Sequence, residues 1–176
     1  MSGWVAQLIA ASGLLLAGTQ SALQYVKTLP PRPDQTNIQC HDANWEAETL
    51  ADIQGSKVHK KLAPFVVKLL SDAQQAGHTL TITSAHRTCA YQGQLRALSC
   101  GTGDYNMTLK PIDECSPPTE PAGRSLHNEG LAVDFACSGY GVFASSPCYR
   151  WLKNYAARYH LFEHRLEPWH WSTTGK

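Results

Sequence analysis

Apolar residues recur at three- and four-residue steps between Ser56 and Ala76: Val58, Leu62, Phe65, Val66, Leu69 and Leu70. That spacing predicts an amphipathic helix, and Gly77 is placed to end it. The next stretch, HTLTITSAHR (78–87), alternates and is rich in β-branched residues, which predicts a strand. Tyr91 to Leu98 reads as a short helix. Leu131 to Ala136 reads as a second strand. Ser146 is placed to cap a helix running from Pro147 to about His160, with Trp151, Leu152, Tyr155 and Tyr159 as its apolar stripe. FEHRLEPWHWS (162–172) closes the pattern as extended chain. Strands alternate with helices but are few. The fold class is therefore α+β, a small antiparallel sheet flanked by helices.

Two segments break the pattern. Residues 1–24 are apolar from Trp4 to about Ala17, interrupted by Gln7 and Ser12. This run is short for a membrane span and suits the apolar core of a signal segment, although no basic residue precedes it. A poorly cleaved signal, a weak membrane anchor and a helix packed on the domain are the three readings, the first two favoured. Residues 25–38 contain KTLPPRPDQTN, a proline-rich linker. The folded domain then spans 39–176. Cys100 to Arg124 is rich in Gly, Pro, Asp and Thr and reads as a long loop that Cys100 and Cys115 can tie down.

The chain has 176 residues, 43% of them hydrophobic, and a formal net charge of +1. That suits one domain with an ordinary core, expected to be a monomer. Clustered Lys and Arg, the footprint of a nucleic-acid partner, are missing. Lys57, Lys60 and Lys61 read as a solvated face of the first predicted helix. Six cysteines, none in a Cys-x-x-Cys pair, point to three disulfides and an exported protein, periplasmic or extracellular. Scattered reduced thiols are the alternative. Spacing alone does not choose the connectivity.

One carboxylate stands out. Alternation along 131–135 puts Leu131, Val133 and Phe135 on one face, and Ala132 and Asp134 on the other. A carboxylate at such a position needs a partner: a cation, a hydroxyl or a metal. Gly130 permits a tight backbone that can bring His127 back over Asp134. Near the end of the chain, EPWHW places Glu167 and His170 close to one point, with Pro168 holding the backbone between them. Two neutral imidazoles and one carboxylate suit zinc with an open fourth position. Glu167, beside but outside that set, suits a general base. Arg87, at a strand end, suits an oxyanion or a substrate carboxylate. Gln92 and Gln94, on the next turn, suit hydrogen bonds to a peptide.

Together these stretches resemble a known family. PAGRSLHNEGLAVDF is similar to the Ser-x-His-x-x-Gly-x-Ala-x-Asp signature of the D-alanyl-D-alanine carboxypeptidase zinc peptidases, the VanY-like branch. EPWHW resembles the closing Glu-x-x-His motif of that family, and SAHRTCAYQGQL its upstream Ser-x-x-Arg-(Ser/Thr) segment. Ser125, His127, Gly130, Ala132, Asp134, Glu167 and His170 fill the signature positions. The resemblance covers about Leu80 to Ser172. It implies zinc held by His127, Asp134 and His170, with Glu167 as catalytic base. It further implies that Arg87 polarises the scissile carbonyl and that Ser125 helps to bind the substrate end. The implied fold is the one shared with L-alanyl-D-glutamate endopeptidases and Hedgehog signalling domains. The implied substrate is a peptidoglycan stem peptide. Two departures are visible: His86 stands where an aromatic residue is usual, and the Cys100–Arg124 insert carries cysteines just before the first ligand. A DD-carboxypeptidase is the leading expectation. An endopeptidase, a zinc-containing binding domain without catalysis, and a metal-free domain with Asp134 paired to Arg124 or Arg165 stand as alternatives.

Overall fold

Residues 38–142 and 144–176 are described by a computed structural model. The signal or anchor expected over 1–24 and most of the linker expected over 25–38 lie outside them. Among the described residues, no helix is long and apolar enough to cross a membrane.

A helix α1 (Ala43–Thr49), capped by the Asp42 side chain, leads into a hairpin of β1 (Leu50–Ile53) and β2 (Ser56–His59). The predicted helix from Ser56 is thus corrected at its start, and α2 spans Ala63–Gln75. Two local constraints decide this. Pro64 is tolerated only in the first helical turn, so the helix starts beside it. Gln54 and Gly55 both adopt positive φ and form the two-residue loop that joins Ile53 to Ser56. Val58 still reaches the core, but from a strand, and Lys57 lies on that strand rather than on a helix. Gly77, at φ +83°, follows the last turn of α2, and its N–H donates to the Gln74 oxygen.

After β3 (Leu80–Ser84), Thr88 accepts from the Tyr91 N–H and starts α3 (Cys89–Cys100), longer at both ends than the pattern predicts. The expected loop beyond Cys100 contains α4 (Asp104–Thr108) and a 3-10 turn at Ile112–Glu114. A second 3-10 turn, Leu126–Glu129, precedes β4 (Ala132–Cys137), which pairs with the short β5 (Tyr140–Gly141). Next come α5 (Pro147–Tyr155), a 3-10 turn at Ala156–Tyr159, β6 (Phe162–His164) and β7 (Glu167–Ser172). The main sheet runs β3-β4-β7-β6, antiparallel throughout.

β4 is the centre of the molecule. It is buried on both faces from Ala132 to Ala136, and Asp134 at the floor of the expected cleft face is itself little exposed. Disulfides join Cys40 to Cys89, Cys100 to Cys115 and Cys137 to Cys148. The insert has a second fastening. Arg96 is fully buried and donates from Nε to the Asn106 oxygen at 2.8 Å, from Nη2 to the Lys110 oxygen at 2.5 Å, and from Nη1 to the Thr119 oxygen. One guanidinium thereby satisfies three main-chain acceptors of the insert.

Arg96→Ala would strand those oxygens and remove the fastening. It should cost about 3 kcal/mol or more, since hydrogen bonds to charged groups contribute roughly 1.5–3 kcal/mol each. Urea unfolding measures the loss. A change under about 0.5 kcal/mol, ordinary for a surface substitution, would contradict this account of Arg96.

Candidate metal centre

Strand register places two of the three expected ligands. Asp134 on β4 lies directly opposite His170 on β7. Side chains of such a pair project from the same face of the sheet. His127 arrives differently, from the 3-10 turn that Ser125 caps by accepting the His127 N–H at 3.3 Å. That turn ends at Gly130, where φ is +64°. A Cβ there would lie 2.8 Å from the His59 nitrogen and 2.9 Å from Leu50 Cδ2. Glycine is therefore required twice, for the left-handed backbone and for the close approach of the β1–β2 hairpin.

The three side chains converge. His170 Nδ1 lies 3.0 Å from Asp134 Oδ1 and 3.1 Å from His127 Nε2, and His127 Nε2 lies 3.4 Å from Asp134 Oδ1. All three residues are buried, and one ligand atom from each fits within 4.8 Å of the others. The opposite ring nitrogens each face a main-chain oxygen. His127 Nδ1 faces the Ala85 oxygen at 2.5 Å, and His170 Nε2 faces the main-chain oxygen of Lys176 at 3.1 Å. With a cation at the centre, these outward nitrogens would carry the protons and donate to those oxygens. Two imidazole nitrogens and a carboxylate oxygen that meet in this way are a group that could hold a metal ion.

The three groups also act on one another electrostatically. Burial alone would raise the Asp134 carboxyl, but His127 and His170 outweigh it and hold the group far below the usual carboxylate range. Burial pushes the His127 imidazole down, against the pull of Asp134. Burial also opposes charge on His170, yet its contacts with Asp134 win and raise it. The outer oxygen of Asp134, Oδ2, accepts from Arg87 Nη2 at 2.5 Å. The pairing of Asp134 with Arg124 or Arg165 is thereby replaced by one with Arg87.

Arg87 is held from several sides. Its Nε donates to Ser84 Oγ at 2.8 Å, and its own N–H donates to the His127 oxygen at 2.9 Å. Asn128 Nδ2 donates to the Arg87 oxygen at 2.8 Å. Gln92 is buried, accepts from Arg87 Nη1 at 3.4 Å and donates to the Glu120 oxygen at 2.9 Å. Gln94 is corrected. It lies on the exposed side of α3 and does not line the cleft, because two residues along a helix is a turn of about 200°. Glu167 opens β7, half-buried, and desolvation raises its carboxyl above the ordinary range.

These groups line an open cleft of about 770 Å³, in which Arg87, Ser125, His127, Asp134, Glu167 and His170 face residues of the insert such as Pro117, Pro118 and Glu120. Two residues of the site escaped the sequence reading: Asn128, which donates to the Arg87 main chain, and the cleft residue His164. His164 lies with Nδ1 3.5 Å from Glu167 Oε2 and its ring 5.4 Å from that of His170. His164 and Glu167 meet across the turn at Arg165 and Leu166 that joins β6 to β7, which alternation along a single extended segment does not signal.

A buried His-Asp-His cluster on a small antiparallel sheet is thus a group that could hold a metal ion. The model of the VanY D-alanyl-D-alanine carboxypeptidase family matches residues 55–176, and the chain belongs to that family. No curated protein matches the chain in sequence. Among solved structures, VanYB in complex with D-alanine-D-alanine is 19% identical with a TM-score of 0.58, covering 83% of this chain and 86% of that one. The D,D-pentapeptidase VanY of a VanB-type resistance cassette, in complex with Zn(II), is 21% identical with a TM-score of 0.54, covering 70% and 76%. The LD-carboxypeptidase LdcB is 18% identical with a TM-score of 0.54, covering 84% and 70%. At these identities the likeness establishes the shared fold.

Asp134→Ala removes the only carboxylate among the three converging residues and leaves Arg87 unpaired beside two imidazoles. Zinc affinity, read by chelator competition, should fall by more than the roughly 100-fold that losing a partner behind a ligand can cost. Stoichiometric zinc at unchanged affinity would remove Asp134 from the donor set.

Proposed function

We propose that this chain is a zinc-dependent metallopeptidase of peptidoglycan stem peptides, acting as a D-alanyl-D-alanine carboxypeptidase, with residues 39–176 as its catalytic domain. The observation that carries this reading is the donor set itself. His127 Nε2 and His170 Nδ1 converge on Asp134 Oδ1, while both opposite nitrogens face main-chain oxygens. Family membership supports the substrate class, and the three disulfides support export.

Zinc held by these three residues would supply Lewis acidity toward a carbonyl and ready access to a nucleophile at neutral pH. The remaining chemistry belongs to the side chains. Glu167 takes a proton from the attacking water and delivers it to the leaving amine. Its raised pKa lets the protonated form persist long enough to act as an acid in the second step. Arg87, fixed by Ser84 and Gln92, offers positive charge to the carbonyl oxygen as it becomes an oxyanion. Ser125, at the base of the cleft, contributes to seating the substrate end, and buried Gln92 acts chiefly by orienting Arg87.

Glu167→Gln should keep zinc bound while hydrolysis falls by roughly 10²–10⁴-fold, the usual contribution of a general acid–base group. Mass spectrometry of purified muropeptides, with and without chelator, reads the reaction directly. Loss of one terminal D-Ala from a pentapeptide supports the D,D-carboxypeptidase. Shortening of tetrapeptides instead indicates an L,D-carboxypeptidase, cleavage between L-Ala and D-Glu an endopeptidase, and no change at all a binding domain.

A base must be deprotonated to work, and the Glu167 pKa is raised. Activity should therefore decline, as pH falls, at higher pH than an ordinary glutamate near 4.3 would dictate. A pH profile of kcat/KM checks this. An acid limb at or below that value would contradict it.

A further inference from the structure

His170 Nδ1 can face the centre only while Nε2 keeps its proton and the ring keeps its tilt. The partner that holds Nε2 is the main-chain oxygen of Lys176, six residues on, 3.1 Å away. β7 ends at Ser172, so the chain must double back to bring that oxygen over the ring.

Ser172 provides the means. It is completely buried. Its Oγ donates to the Lys176 oxygen at 2.9 Å and accepts from the Gly175 N–H at 2.9 Å and the Lys176 N–H at 3.2 Å, with the Thr174 N–H at 3.4 Å. A hydroxyl has one proton and two lone pairs, and the shortest of these contacts use all three. Gly175 makes the reversal possible. Its φ is +76°, and a Cβ there would meet the Glu163 oxygen at 2.8 Å and Phe162 Cβ at 3.4 Å. The Thr173 N–H, bonded to the Leu131 oxygen at 3.1 Å, ties the start of the turn to the residue that precedes β4.

Resting on the metal-centre reading above, we propose that residues 172–176 are a positioning device for His170. Ser172, acting through the main-chain oxygen of Lys176, sets the tautomer and tilt that present Nδ1 to zinc. The motif Glu-x-x-His supplies the ligand, and the serine two residues after it supplies the aim.

The full chain tests this without any peptide substrate. Zinc affinity by chelator competition should weaken about 10–100-fold in Ser172→Ala, as for loss of a partner behind a metal-binding imidazole. Gly175→Ala should weaken it likewise. Lys176→Met keeps the main-chain oxygen and should bind zinc as the unmutated chain does. Nitrogen-15 NMR of the histidine rings in the unmutated zinc-loaded protein should show Nδ1 of His170 metal-bound and a slowly exchanging proton on Nε2. That proton should exchange faster in Ser172→Ala. If Nε2 carries no proton in the unmutated protein, the proposal falls whether or not the variants fold. If the variants fold and bind zinc undiminished, this proposal alone falls. If the unmutated protein binds no zinc, the metal-centre reading falls and takes this one with it.

Discussion

The structure depends on how the charge of Asp134 is accommodated. A carboxylate placed on the central strand of a sheet buried on both faces loses its water and needs compensation from every side. The two oxygens are treated separately. Oδ1 meets the imidazole edges of His127 and His170, and Oδ2 meets the Arg87 guanidinium. The carboxylate therefore joins two systems, the donor set and the arginine that faces the cleft. Geometry at one is felt at the other. That is also why Ser84, Gln92 and Asn128, none of them a candidate ligand, are buried or half-buried against Arg87.

Much of the centre was legible in sequence because its chemistry restricts both residue type and spacing. His127, Gly130, Asp134 and His170 each stand where geometry or charge narrows the choice of residue: an imidazole, a left-handed backbone, a buried carboxylate. Residues whose demands are only geometric were harder to read. β2 reads as the start of a helix because Val58, Leu62 and Phe65 happen to continue the spacing of α2. Its loop is Gln-Gly, which lacks the usual Asn or Asp signal. Gln92 and Gln94 look alike in one dimension, and only the phase of α3 sends one inward and the other to solvent. Nothing in the sequence singles out Arg96. Its three acceptors lie 10, 14 and 23 residues away, on a segment with no periodic pattern.

The insert after α3 shows how an irregular segment can serve as a wall. Residues 101–120 have little regular structure and a small apolar content, so burial alone would not order them. A disulfide and a buried guanidinium do so instead, and both are anchored in α3. The same helix carries Gln92, whose amide holds Glu120 from the far end. α3 thereby fixes the arginine on one side of the cleft and the insert on the other, which keeps their spacing constant.

The pairing of Asp134 with His170 has a consequence for how such a chain can change length. The two residues are separated by β5, α5, a 3-10 turn, β6 and the Cys137–Cys148 disulfide, yet their juxtaposition is decided by hydrogen-bond register alone. Loops between them can lengthen or shorten without disturbing the pair. A single-residue slip within either strand, by contrast, would swing the imidazole or the carboxylate to the reverse side of the sheet. Variation in relatives and in engineered forms should therefore accumulate between the strands, while the strands themselves admit substitution but no indel.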